Sequence, residues 1–134
     1  MLRDIGAVVA GLVVGSVANM ALVFANMAVF PGPPGLDFND PAAMAAYVGG
    51  LPPQAFLGVM AAHLSQALLG GWTAARLSGE RTVLAAYVVG ALTALACLVN
   101  LLGLPSPWWM WAELPLCGVI VWAVARAEVA RRAG

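Results

Sequence analysis

The chain has 134 residues, of which 63% are hydrophobic and only 9% are charged. A soluble domain normally has about a quarter of its residues charged, so this composition excludes an ordinary soluble fold. The net charge is zero, which gives no electrostatic basis for binding nucleic acid.

Four hydrophobic runs predict four transmembrane helices. They cover residues 5–30, 53–77, 82–104 and 108–125. About 20 apolar residues at ~1.5 Å rise per residue cross the ~30 Å hydrocarbon core of a bilayer, and the runs are of that length. We therefore expect an all-α membrane protein in which residues 1–134 form a single transmembrane four-helix bundle, with no separate soluble domain.

The Arg residues all lie on one side of these runs. One precedes the first run, two border the second connection and three follow the last run: Arg3, Arg76, Arg81, Arg126, Arg131 and Arg132. The connections 31–52 and 105–107 contain no Arg, and the chain contains no Lys. Because basic residues near the ends of membrane segments are retained in the cytoplasm, both termini are expected to be cytoplasmic.

We interpret the first run as a retained signal anchor. One face of the predicted helix carries small residues that suit helix–helix packing. It is too long for a signal peptide, and no convincing small-residue cleavage site follows it. Ala7, Gly11 and Gly15 recur every four positions, a pattern that lets helix backbones approach closely. Asn19 continues this stripe, and Asn26 lies two turns further on.

The connection 31–52 is the long outer loop. Its opening prolines and glycines exclude a continued helix. Asp40-Pro41 is a helix start signal, so a short helix over about residues 42–48 should follow and end at Gly49-Gly50. We expect this helix to lie on the membrane surface as a lid. Asp37 and Asp40 suit turns and caps better than a cation site, which needs more oxygen ligands.

The second and third runs also have faces of small residues. In the second run, Ala67, Gly70 and Ala74 share a face with His63, and Gly70 is expected to pack against a neighbouring helix. The third run aligns four residues on one face: Ala86, Thr93, Cys97 and Asn100. Cys97 and Cys117 fall inside predicted spans, so we expect buried free thiols rather than a disulfide.

The spacing of polar and aromatic residues suggests an internal repeat. Asn26 precedes two prolines at the same spacing as Asn100, an offset of 74 residues. A second set recurs at an offset of 50: His63, Trp72 and Arg76 correspond to Glu113, Trp122 and Arg126. An insertion in the longer outer loop accounts for the difference. The alternative is coincidence between similar Ala-rich helices; a duplication predicts two tandem hairpins related by an axis along the membrane normal.

The polar residues inside the runs form the candidate site. They are His63, Glu113, Asn26, Asn100, Asn19 and Gln66. Ionisable groups in hydrocarbon are costly, so they normally face the bundle interior and find partners. Counted from the outer prolines, Glu113 lies about 9 Å deep and His63 about 15 Å deep, close enough to meet.

Two interpretations of this cluster remain open. In the first, the side chains only hydrogen-bond the helices together. In the second, they form a proton- or ligand-responsive site beneath the loop helix.

One His and one Glu are fewer ligands than a metal centre needs, so no metal or cofactor is expected. The chain shows no catalytic motif, and we expect no enzyme activity.

One stretch resembles a known family. The residues are Asn19, Pro31 to Asp37, Asn39-Asp40-Pro41, Tyr47, Leu51-Pro52 and Ala62-His63. With the later Asn100, Pro105 and Trp108, they resemble small four-span bacterial integral membrane proteins known only as hypothetical proteins. The resemblance implies the bacterial inner membrane and a fixed topology, and it implies no activity.

Three classes of function follow from the sequence. The favoured one is a structural or accessory subunit of a membrane complex, since the chain is small and has short loops and small-residue faces. The second is an oligomeric small transporter or channel; small multidrug exporters also have one membrane-embedded Glu, although theirs lies in the first span. The third is a binder of lipid or another hydrophobic ligand. The partners expected are the bilayer and further copies or a larger complex.

Overall fold

A computed structural model describes residues 1–79 and 82–134 of the chain. The described residues form helices and no strands. Four helices are long and apolar enough to cross a membrane: α1 (Leu2–Val29), α3 (Pro53–Leu77), α4 (Leu84–Gly103) and α5 (Trp108–Ala133), while a shorter helix, α2 (Pro41–Gly49), lies between the first two. The predicted all-helical class with four membrane-length helices is therefore confirmed.

The helix ends depart from the sequence prediction mainly in α5. We expected this run to end near residue 125, where the apolar composition stops, but the helix continues to Ala133. Glu128 explains the extension, because it pairs with Arg131 and Arg132 one turn further on, which stabilises the last turns. The predicted role of Arg81 in orientation lies outside the described residues.

Glycines bring α1 and α3 into close contact. Ala7, Gly11 and Gly15, the predicted packing stripe, are all buried. A Cβ atom on Gly15 would lie 2.8 Å from the carbonyl oxygen of Gln66, and one on Gly70 would lie 2.8 Å from that of Gly11. No larger side chain fits between these backbones, so the small-residue stripe sets how closely the two helices pack.

Helices α4 and α5 also pack closely at a glycine. A Cβ atom on Gly90 would meet the side chain of Val121 at less than normal contact distance. Thr93 and Cys97 are buried along the predicted face, but Asn100 is exposed, and Leu101 is buried instead. Asn100, near the end of α4, is exposed in the wall of a cavity that Leu101 also lines, so it is not packed against a neighbouring helix as the stripe predicts.

Two irregular turns interrupt the membrane-length helices. Residues Gln66–Gly70 form a π-helical turn inside α3, and Trp108–Ala112 form a 3₁₀ turn at the start of α5. A π turn accommodates an extra residue, whereas a 3₁₀ turn rises about 2.0 Å per residue rather than 1.5 Å. The 3₁₀ turn therefore carries Glu113 deeper into the bundle than a regular helix would.

The loop helix α2 covers one end of the bundle. The Asp40 carboxylate accepts a hydrogen bond from the Ala42 backbone N–H at 2.9 Å and so caps the helix. Tyr47 donates a hydrogen bond to the Phe30 carbonyl at 2.7 Å, which ties α2 to the end of α1. Val48 packs with Met110 in an apolar cluster at this end.

Arg side chains converge on the opposite end. Glu128 is 2% exposed and forms ion pairs with Arg76, Arg131 and Arg132. Arg132 also donates hydrogen bonds to the carbonyl oxygens of Gly79 (2.7 Å) and of Thr82 (3.0 Å). These contacts hold the α3–α4 connection against the end of α5.

The two hairpins share structural detail at the offsets seen in the sequence. Helix α1 ends at Val29 and α4 ends at Gly103, which are 74 residues apart. The guanidinium of Arg76 lies 5.4 Å from the centre of the Trp72 ring, and that of Arg126 lies 5.6 Å from the Trp122 ring. Residues 50 apart are buried together: His63 and Glu113, Ala67 and Cys117, Gly71 and Val121, Ala74 and Val124, Ala75 and Ala125, Ser78 and Glu128. A duplication predicts matches of this kind, and the duplication stays a prediction.

Candidate functional site

A buried His–Glu pair links α3 and α5. His63 Nδ1 lies 2.9 Å from Glu113 Oε2, so the predicted contact between the two residues is present. The Glu113 side chain is fully buried and that of His63 is 10% exposed. At this distance the two groups share a hydrogen bond, and the pair is an ion pair when His63 is protonated.

Among the described residues, the second carboxylate oxygen of Glu113 has no hydrogen-bond partner. Oε1 is buried, and within residues 1–79 and 82–134 no hydrogen-bond partner reaches it. A carboxylate normally accepts several hydrogen bonds through its two oxygens. Glu113 Oε1 is therefore a buried acceptor atom that a cation or a hydrogen-bond donor could bind.

Cys97 of α4 also belongs to this cluster. A ligand atom from each of His63, Cys97 and Glu113 lies within 4.8 Å of the others, and all three residues are buried. Cys97 and Cys117 are both buried free thiols in the same apolar cluster. Three helices thus each contribute one potential ligand to the same point in the bundle.

A small cavity adjoins the pair. It has a volume of about 70 Å³, and His63, Glu113 and Asn100 form the polar part of its wall with Ser106. Apolar side chains from α2 and from the surrounding helices form the remainder, among them Val48, Phe56, Leu101 and Met110. Since a buried water needs about 10–15 Å³, the cavity has room for an ion or a few waters beside Glu113.

The remaining predicted polar residues do not line this cavity. Asn26 donates a hydrogen bond to the Ala55 carbonyl at 3.1 Å and so joins α1 to α3. Gln66 lies in the π turn, against Gly15. Asn19 is half-buried, and its Oδ1 has no partner in the described part of the chain. None of the three lines the cavity, and Asn26 and Gln66 contact a neighbouring helix.

Sequence reasoning missed two charged or ligating groups. Cys97 was read only as a buried thiol, although its place on the inward stripe of the third run was a signal that it could face His63. Glu128 was missed as the centre of the Arg cluster. Its spacing of three and four residues from Arg131 and Arg132 was the available signal.

Comparison with known proteins adds no assignment. No family model matches the chain, and neither a curated protein nor a solved structure matches it. Functional reasoning therefore depends on the geometry of the described residues.

Proposed function

We propose that the protein binds a small cation or hydrogen-bond donor at Glu113, in a site within the membrane-spanning bundle. The free carboxylate oxygen carries this proposal: Oε2 is paired with His63, whereas Oε1 is buried and unpartnered in the described structure. Leaving a buried acceptor unsatisfied costs about 1–3 kcal/mol, and more for a charged group. A bound cation or donor offsets that cost.

The size of the cavity limits the ligand. Its volume is about 70 Å³, whereas pockets for drug-sized molecules measure about 300–1,000 Å³. The ligand at Glu113 is therefore an ion or a molecule of few heavy atoms, with or without bound water. A lipid chain is too large for this cavity.

The orientation we propose puts the cavity on the outer side of a bacterial inner membrane. Arg76 and Arg132 lie at the end opposite the loop helix, and positive residues favour the cytoplasm. Both termini are then cytoplasmic, α2 lies at the outer surface, and the ligand reaches Glu113 beneath Val48 and Leu51. Four short helices enclose little space, so any transport path across the membrane needs more than one copy of the chain.

Thermal unfolding in detergent tests the proposal. The probes are guanidinium, methylammonium and Zn²⁺, each added as the chloride to wild type and to Glu113→Gln. A ligand at about 100 times its Kd stabilises the folded state by about 2.7 kcal/mol, which raises the unfolding midpoint by several degrees. We expect at least one probe to raise the midpoint of wild type and not of Glu113→Gln, with Asp37→Asn behaving as wild type.

Equal shifts in wild type and Glu113→Gln would contradict the proposal, because the ligand would then bind elsewhere. The absence of a shift with all three probes would do the same. Asp37 is a suitable control because it is an exposed carboxylate in the outer loop.

A second candidate function is that of an accessory subunit. A groove of about 470 Å³ runs between α1 and α4 near the Arg end, and its wall is mainly apolar, with Ile5, Val9 and Val88 among its residues. A helix from a second copy or from a larger membrane complex fits such a groove. Native mass spectrometry of the gently solubilised protein tests this candidate by reporting the number of chains and any retained partner.

Binding of a lipid or another hydrophobic ligand is a third candidate, at a different place. The outer loop encloses an open cleft of about 830 Å³, with Phe30, Leu36 and Tyr47 in its wall. This volume falls in the range of organic-ligand pockets. The same mass spectra would show a lipid retained by the wild type.

A further inference from the structure

We infer that the ligand at Glu113 is a thiophilic divalent metal ion such as Zn²⁺, held by His63, Cys97 and Glu113. This inference rests on the proposed function, since it names the chemical class of the ligand at that same site. Two observations support it: the ligand atoms of three buried residues lie within 4.8 Å of one another, and the carboxylate of one of these residues, Glu113, has an Oε1 with no partner among the described residues.

The distances suit metal coordination after a small adjustment of the side chains. Zn²⁺ binds sulfur at about 2.3 Å and nitrogen or oxygen at about 2.0–2.2 Å, so ligand atoms in a tetrahedral site lie about 3.3–3.6 Å apart. The three atoms here already lie within 4.8 Å of one another. Side-chain rotations that move these atoms by about an ångström would bring them to such distances without moving the helices.

The ligand types select the class of metal. Thiolate and imidazole ligands suit Zn²⁺ and its neighbours in the transition series, whereas Mg²⁺ and Ca²⁺ prefer six or more oxygen atoms. Charge balance then favours a divalent ion, because the Glu113 carboxylate and a Cys97 thiolate together neutralise a charge of +2. A neutral site suits the interior of a membrane-spanning bundle, where an unbalanced charge is costly.

Binding is accompanied by loss of a proton from Cys97. The Cys97 S–H bond breaks as the sulfur–metal bond forms, and the proton passes to water; His63 binds as the neutral imidazole. Cys117 is a second buried thiol in the same apolar cluster as Cys97. The fourth position then faces the cavity of about 70 Å³, where a water completes the set.

The composition of the chain makes the inference easy to test. Among all 134 residues there is one His and there are two Cys, so few other groups compete for a thiophilic metal. The full chain is purified with a tag that contains no His, kept reduced, freed of metal with a chelator and dialysed against Zn²⁺ or Co²⁺. Bound metal per chain is measured by mass spectrometry of the elements, and thiolate ligation is measured by the sulfur-to-cobalt charge-transfer absorption.

We expect wild type to bind one ion per chain and to show the charge-transfer band. Cys97→Ala should lose the band and bind Zn²⁺ at least about 10-fold more weakly. Cys117→Ala, the same substitution at the neighbouring thiol, should keep the band. Glu113→Gln, which preserves shape, should also weaken binding at least about 10-fold, and helical circular dichroism checks that each variant is folded.

Two results would overturn the metal site. One is wild type that holds no stoichiometric metal after dialysis. The other is a charge-transfer band that persists unchanged in Cys97→Ala. If guanidinium or methylammonium still stabilises wild type but not Glu113→Gln, the proposed binding function stands and only the metal assignment fails; if no probe binds, both fail.

Discussion

A Cβ atom placed on Gly11 would lie 2.6 Å from the carbonyl oxygen of Gly70, so α1 and α3 touch through their backbones. Ala74 and Val89 flank the same point, at 2.9 Å and 3.1 Å from that Cβ position. Gly11 therefore lies where three of the membrane-length helices meet. The position admits no side chain unless a backbone moves.

Gly11→Ala should accordingly destabilise the protein. Overpacking of a close contact costs about 1–3 kcal/mol, which outweighs the gain of about 1 kcal/mol when Ala replaces Gly in a helix. Gly6→Ala in the same helix is the control, since a Cβ atom there meets nothing within 4 Å and should be neutral or stabilising. Thermal unfolding in detergent distinguishes them, and equal midpoints for the two variants would contradict the close contact.

The small-residue stripe shows which parts of the fold the sequence could predict. Its spacing of four residues is a local property of one helix, and so are the lengths of the four apolar runs. The π turn at Gln66–Gly70 was not predictable, because it depends on how α3 meets its neighbours rather than on its own residues. The exposure of Asn100 has the same origin, since the packing of neighbouring helices decides which side chains are covered.

Glu128 leads to a prediction about the Arg end of the bundle. It is buried and accepts hydrogen bonds from Arg131 at 2.6 Å and from Arg132 at 2.9 Å. Hydrogen bonds to charged groups contribute about 1.5–3 kcal/mol each when well formed, and exposure of Arg131 reduces this. Glu128→Gln should lower stability by about 1–3 kcal/mol and fray the end of α5, measured as faster hydrogen exchange after residue 125. The exposed Asp37→Asn should leave both quantities unchanged.

The proposed orientation can be tested by labelling from one side of the membrane. A reporter between Ser78 and Glu80 would disrupt the buried Ser78 hydroxyl, which donates a hydrogen bond to the Ala75 carbonyl at 2.8 Å. Single cysteines at Phe38, which is 59% exposed, and at Gly134 are better placed. A membrane-impermeant maleimide added to intact cells should label Phe38→Cys and not Gly134→Cys. The reverse pattern would invert the orientation, and wild type is the control because both native thiols are buried.

The internal repeat predicts a two-fold relation between the hairpins. In an experimental structure, residues 2–77 should superpose on 84–133 by rotation about an axis along the membrane normal. The contact of Gly71 with Val121, where a Cβ atom would lie 3.5 Å from Cγ2, fits this relation because the two residues are 50 apart and lie near the axis. An axis in the membrane plane, or Trp72 and Trp122 at unrelated depths, would show that the matches are accidental.

The candidate site was predictable in part. Burial cost alone argued that His63 and Glu113 should meet inside the bundle, and counting residues placed them at similar depths. Cys97 could not be assigned to them from depth or charge, since a thiol carries neither the cost of a buried ion nor a fixed partner. The small-residue stripe of the third run indicated that Cys97 faces inward, but it did not indicate which neighbouring side chain the thiol would meet.

The energetics of the His63–Glu113 pair lead to a last prediction, made on metal-free protein. His63→Leu leaves a fully buried carboxylate without its partner, and removing one member of a buried pair costs about 3–5 kcal/mol. Replacing both by Leu removes the unpaired group, and such apolar replacements are often neutral or stabilising. The double variant should therefore be more stable than His63→Leu alone, by roughly 2 kcal/mol or more, in denaturant or thermal unfolding. Glu113→Gln should fold like wild type, since its amide can still hydrogen-bond to His63. Independent, additive losses in the double variant would contradict an interaction between the two side chains.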